Sequence, residues 1–282
     1  MMNEALGAAV GDLARADGGL LAPDEPAPYD IFNETAIFNE TGGAPVVFLC
    51  DHATRFVPRS LCGLGLSEAD LVRHIAWDIG IAEVTRALAT RLDAPAVFSH
   101  FSRLVIDPNR SLDDPTLIPQ LSDGVIVPGN RTLSQAGRQA RIAGFYVPYH
   151  GAIAHLLDRL IAAGREPAVI SMHSFTPTMK GLERPWRIGI LWNRDPRVPE
   201  PLIAALRAQG LSVGDNEPYS WRDGHGYTLQ THAEPRGLPN ALIEVRQDLI
   251  DTHQGAAAWA ERLGGVLGGV LAAPDMRMAR SG

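Results

Sequence analysis

Apolar and polar positions along this chain alternate between two periods. Short aliphatic and β-branched runs recur at Pro45–Cys50, Ala96–Phe98, Arg103–Ile106, Ala168–Met172, Arg187–Trp192 and Ala241–Val245. Apolar runs of this length, bounded by polar or turn residues, predict strands buried on both faces. Between them the spacing widens to that of a helix. Ile81, Val84, Leu88 and Leu92 share one face, and Ser67–Val72 opens on a capping serine. Ser134–Ala163 is helical with an interruption near Pro148, Pro199–Gln209 is closed by Gly210, and Gly255–Leu271 is the final helix. Strands and helices alternate with no linker between them. This predicts one α/β domain over residues 45–282, a three-layer α/β/α arrangement around a mostly parallel or mixed sheet.

Residues 1–44 read as an N-terminal extension, a wrapping strand or loop outside the core. They contain the proline-broken, acidic stretch Ala22–Pro28, and Ile31–Thr35 recurs as Ile37–Thr41. The long irregular segment Ser111–Thr132 predicts a wall or lid over a site. Glu217–Arg236 reads as a loop carrying Tyr219, His225, Tyr227 and His232.

The polar residues that interrupt the pattern cluster at strand ends, where open α/β sheets build ligand sites. Asp51-His52 follows the first strand, Asp107, Asn109 and Arg110 follow Arg103–Ile106, and His173-Ser174 follows Ala168–Met172. Glu244 sits inside the otherwise apolar last strand, two residues before Arg246. A lone buried carboxylate is costly, so Glu244 is either ion-paired, for instance with Arg246, or functional. Two histidines and a carboxylate form the donor set of a hydrolytic zinc site with an open position. A further glutamate can accept a proton from water, and an arginine can bind a carboxylate or an oxyanion. Asp78 reads locally as the N-cap of the helix that follows.

Composition narrows the classes. The 282 residues are 45% hydrophobic and 20% charged, with a formal net charge of −7, which offers no general attraction for nucleic acid or anionic lipid. Cys50 and Cys62 are too few for a disulfide framework or a four-cysteine zinc site. No basic leader and no apolar run of spanning length occurs, so a soluble cytoplasmic protein with no membrane partner is expected. A serine hydrolase is disfavoured by the lack of a Gly-x-Ser-x-Gly elbow.

Asp107-Pro108-Asn109-Arg110, Ser171–Phe175 and Ile243–Arg246 resemble, in that order, the substrate-binding, third-ligand and catalytic-glutamate motifs of zinc carboxypeptidases. The closer resemblance, over about residues 45–255, is to the N-formylglutamate amidohydrolase family. It is carried by Asp51–Thr54, Ser102–Asp107, His173–Pro177, Arg184-Pro185-Trp186 and Arg246–Leu249. The resemblance implies a zinc carboxypeptidase-like α/β/α fold and cleavage of N-formyl-L-glutamate to formate and glutamate, as in histidine degradation. Carried across by motif, His52 and His173 become metal ligands, Glu244 the general base, and Arg110 with Asn109 the carboxylate clamp. Zinc is expected, or another divalent metal, with a small dicarboxylate as substrate. Carboxypeptidases have His-x-x-Glu at the first ligands, whereas Arg55 stands three residues after His52. Asp78 is the expected replacement, with Asp51 as the alternative. Arg103 is expected to stabilise the oxyanion or hold a second carboxylate, Tyr227 to cover the site and His232 to bind substrate. Two other readings stay open: a zinc deacylase or carboxypeptidase on another acidic N-acyl amino acid or peptide, and a carboxylate-binding protein that has lost its metal.

Overall fold

A computed structural model of the chain describes residues 19–34, 46–221, 224–273 and 276. Seven strands form the central sheet: β1 Tyr29–Phe32, β2 Val46–Cys50, β3 Ala96–Ser99, β4 Ala168–Phe175, β5 Ile188–Leu191, β6 Val213–Asp215 and β7 Asn240–Arg246. Their spatial order is β1-β3-β2-β4-β7-β5-β6. The pairs β3/β2, β2/β4, β4/β7 and β5/β6 are parallel, while β1/β3 and β7/β5 are antiparallel. The sheet is therefore mixed, with a parallel centre, as the apolar runs require.

Side-chain alternation along β2 sorts the core into two faces. Val46, Phe48 and Cys50 pack with Ile81, Val84 and Leu88 of helix Ile81–Arg91, and with helices Pro199–Ala208 and His253–Leu271. Val47 and Leu49 face the opposite way, against Phe145, Ile153 and Leu157 of the helical stretch Gln135–Ala162. Three layers result. Each fully buried aliphatic or aromatic side chain stabilises them by about 1.5–3 kcal/mol. No helix among the described residues is long and apolar enough to cross a membrane.

Three local expectations change. Leu104, Val105 and Ile106 are buried, but Arg103–Ile106 is a turn rather than a strand. Its carbonyls are met by side chains instead of a neighbouring strand: Asn130 donates to Leu104 and Arg141 to Val105. His173 lies inside β4, not beyond its end. Within Glu217–Arg236, residues Tyr227–His232 form a short helix. As expected, the helical stretch is interrupted near Pro148, by a π-helical turn at Ile142–Tyr146. In the N-terminal part, Tyr29–Phe32 is an edge strand, Tyr29 opposite Ser99, whereas the second Ile-Phe-Asn-Glu-Thr copy lies outside the described residues.

Candidate active site

Three parallel strands deliver the central residues at their carboxyl ends. Asp51 and His52 follow β2, His173 is in β4, and Glu244 of β7 stands beside His173 in register. Asp78 arrives from the turn before helix Ile81–Arg91. That helix is capped by Gly80 at φ +79°, so the Asp78 side chain is not consumed as an N-cap. Gly80 is obligatory there, because a Cβ would lie 2.0 Å from the Ile250 carbonyl oxygen.

His52, Asp78 and His173 are all buried, and one potential ligand atom from each lies within 4.8 Å of the others. Asp78 Oδ2 is 3.4 Å from His52 Nδ1 and 2.9 Å from His173 Nδ1. It also accepts from the Ser174 backbone N–H. The far nitrogen of each imidazole meets a second carboxylate: His52 Nε2 lies 2.7 Å from Asp107, and His173 Nε2 lies 3.1 Å from Asp51. Asp51, the alternative ligand, thus stands behind a ligand-type histidine. It also accepts from Tyr149 Oη at 2.7 Å and Ser171 Oγ at 3.2 Å. Carboxylates that hold the outer nitrogen of an imidazole fix its tautomer and aim its inner nitrogen, the usual support of a metal-ligating histidine.

The electrostatics fit a dication. Asp51, Asp78 and Asp107 are buried together, with Arg103 as the guanidinium among them: Nε and Nη2 donate to Asp107 at 3.0 and 2.6 Å, and Nη1 is 3.6 Å from Asp78 Oδ1. The excess negative charge draws protons onto the imidazoles. Burial pulls His173 down, but Asp51 and Asp78 overcome it and push its pKa up to about 10. For His52, burial and Arg103 are outweighed by Asp107 and Asp78, so it too is raised. Asp78 and Asp107 are held well below the usual carboxylate range, their charge partners outweighing burial. Two neutral imidazoles and a carboxylate around a divalent ion would satisfy the same carboxylates without those protons.

Glu244 behaves differently. Burial pushes its carboxyl up to about 7, and one of its oxygens, Oε2, has no hydrogen-bond partner among the described residues. It is not paired with Arg246, which forks onto Asp248 at 2.8 and 3.1 Å.

The other expected residues line an adjoining wall. Asn109 is buried, and its Oδ1 accepts from the Thr228 N–H at 3.1 Å, leaving its amide NH₂ to donate. Arg110 is half-buried and donates through Nη1 to the Gly224 carbonyl. Tyr227 packs edge-on against His150, and His232 is buried, stacked on His150 and bonded to it at 2.8 Å. His150 in turn donates from Nε2 to the Pro108 carbonyl at 3.0 Å. Because that carbonyl only accepts, Nδ1 of His150 is the acceptor for His232. Burial lowers His150 to about 4, and burial with His150 lowers His232, so both are neutral. Tyr146 completes the wall by donating to the Arg110 carbonyl at 3.0 Å.

Sequence reasoning did not single out Tyr146, Tyr149 or the partnership of His150. Their signal was available: spacings of three and four place all three on one helix face, each with a polar tip on an apolar ring.

Buried acids and imidazoles gathered at the carboxyl ends of parallel strands place this chain among α/β enzymes with a strand-rim site. The model of the N-formylglutamate amidohydrolase family matches residues 44–251, and the chain belongs to that family of amide hydrolases. The matched span contains every residue of the cluster. Among solved structures, the gene product Atu2144 from Agrobacterium tumefaciens is similar, at 37% identity and a TM-score of 0.85, over 89% of this chain and 98% of that one. An N-formylglutamate amidohydrolase from Ralstonia eutropha JMP134 shares the fold, at 20% identity and a TM-score of 0.67, over 87% of this chain and 97% of that one. A comparison with curated proteins found no match.

Proposed function

We propose that the protein hydrolyses N-formyl-L-glutamate to formate and L-glutamate, with His52, Asp78 and His173 holding a divalent metal ion, zinc before others. The observation that carries this reading is the pairing of that buried donor trio with a neighbouring carboxyl, Glu244, whose pKa is pushed up to about 7. When bound, the ion supplies Lewis-acid polarisation of the scissile carbonyl and a more acidic water.

The remaining steps belong to the chain. Glu244 takes a proton from the attacking water as the carbon–oxygen bond forms, then returns it to the nitrogen as the carbon–nitrogen bond breaks. A carboxyl titrating near neutrality can do both. Arg110 forks onto the substrate α-carboxylate and Asn109 donates its NH₂, holding the amide in place. Arg103, with two nitrogens committed to Asp107, fixes Asp107 and Asp78, and its Nη1 edge remains for the developing oxyanion. Tyr227 and His232 act from the wall, keeping the Asp107–Arg110 turn in register through His150.

The test is formate release from N-formyl-L-glutamate by protein of measured metal content, before and after chelation. About one ion per chain, as one three-ligand site requires, and release abolished by chelator and restored by zinc, is the expected result. Metal without release would keep the hydrolase and change its substrate. Neither metal nor release would remove the reading.

A further inference from the structure

Among the described residues, two arginines near the cluster already have acids. Arg103 is bound by Asp107, and Arg246 by Asp248. Among the described residues, Arg110 and Arg184 have no carboxylate within ion-pairing distance. Arg110 donates to a backbone carbonyl. Arg184 donates from Nη1 to the Thr176 carbonyl at 3.4 Å, to Thr176 Oγ1 at 3.3 Å and to the Tyr219 hydroxyl at 3.0 Å. Its guanidinium lies 4.7 Å from the Tyr219 ring centroid and 5.7 Å from that of Phe175. Neutral oxygens and aromatic faces hold this cation in one place without cancelling its charge.

Arg184 also has the right address. Phe175, two residues beyond His173, ends the strand that borders Glu244, and Thr176 follows it directly. Tyr219 lies close enough to feel Glu244, Arg184 and Arg103 together, although burial is the main reason its hydroxyl is held protonated. Tyr219 touches Arg184, and the Gly224 carbonyl accepts from Arg110. Two residues before Tyr219, the Glu217 carbonyl packs on the sheet because Gly189 and Gly214 leave room for it, where a Cβ would approach to 2.0 and 2.5 Å. One unneutralised fork suits a monocarboxylate; two suit a dicarboxylate.

We propose that Arg184, with Tyr219 and Thr176, forms a second carboxylate subsite that receives the side-chain carboxylate of an acidic N-acyl amino acid, while Arg110 takes the α-carboxylate. This rests on the hydrolase reading above and makes Arg184 a specificity-determining residue.

The experiment compares N-formyl-L-glutamate with N-formyl-L-norvaline, which keeps the α-carboxylate and lacks the second. For Arg184→Gln, kcat/KM on the glutamate substrate should fall about 50-fold, mostly through KM, the loss of a charge-assisted pair. Turnover of the norvaline substrate should stay within about twofold. Tyr219→Phe should shift the preference the same way by about threefold, whereas Arg110→Lys should weaken both substrates alike. Equal losses on both substrates in Arg184→Gln, or no loss on either, would overturn the subsite and leave the hydrolase standing. If Arg184→Gln does not fold, the selectivity of Tyr219→Phe decides by the same criterion. If the metal-loaded wild type releases formate from neither, the N-formylglutamate reading fails instead. Calorimetric binding of glutarate then decides the subsite: affinity lost in Arg184→Gln, or weakened in Tyr219→Phe, supports it, and unchanged affinity removes it.

Discussion

The two helical layers of this molecule do different work on opposite faces of one sheet. On the first, Ile81, Val84, Leu88, Leu263 and Leu267 meet Val46, Phe48 and Cys50 in an apolar contact. On the second, the helical stretch ending at Ala162 packs Phe145, Ile153 and Leu157 just as deeply. It also sends Tyr146 to the Arg110 carbonyl, Tyr149 to Asp51 and His150 to Pro108. Burial alone does not separate them, since Tyr149 and Leu88 are both 0% exposed. What separates them is the partner. A side chain whose polar tip ends on a residue beside the cluster transmits position, and one that ends on methyl groups transmits only stability.

If that division is real, a change at the cluster must stop turnover without unfolding, and a change in the apolar layer must do the reverse. Glu244→Gln is the strongest case. A carboxamide fills the same space but cannot accept the water proton, so kcat should drop about 10³-fold with metal content and circular dichroism unchanged. Near-normal turnover of the folded variant would take the base role from Glu244. Next in size is Leu263→Ala. Leu263 is fully buried against the apolar layer, and the cavity should lower unfolding free energy by about 3 kcal/mol in urea titration. The folded fraction should keep its metal affinity and kcat/KM. A parallel loss of metal would show that the layers are not separable.

The same division explains what could be read from the chain. The parallel strands were legible because both of their faces are apolar, and Glu244 because a carboxylate in such a strand needs a reason. Asp78 was visible only as a neighbour of a helix start. Its freedom depends on Gly80 taking the cap with a left-handed backbone, which one sequence does not announce. Arg103–Ile106 has strand composition, yet Asn130 and Arg141 satisfy its carbonyls from distant positions, so the local pattern misleads. The second layer was least legible. Tyr146, Tyr149 and His150 look like ordinary core aromatics until the residues at their tips are known. The pairing of Asp51 with His173 joins residues 122 apart in sequence.

Asp51→Asn tests that pairing at moderate scale. An amide can still fill the pocket and hold Tyr149, but it cannot anchor the His173 Nε2–H with a charge. Metal affinity, measured against a competing chelator, should weaken about 10- to 100-fold, while kcat of the fully loaded enzyme changes less. Unchanged affinity would mean that Asp51 serves the core alone, making this corner of the second layer equivalent to the first.

The smallest effect belongs to His232→Phe, and it is the finest probe of the comparison. Phenylalanine preserves the ring stacked on His150 and removes only the N–H donated to its Nδ1. His150 still donates from Nε2 to Pro108, which keeps its tautomer, but its buried Nδ1 is left without a donor. The Asp107–Arg110 turn should therefore loosen, raising KM for carboxylate substrates about threefold, with kcat and metal content unchanged. A matching change in an apolar-layer residue such as Leu267→Met should leave KM alone. If instead His232→Phe lowers the melting temperature and leaves KM at the wild-type value, the wall is packing and the clamp is held by Thr228 and Tyr146 without it.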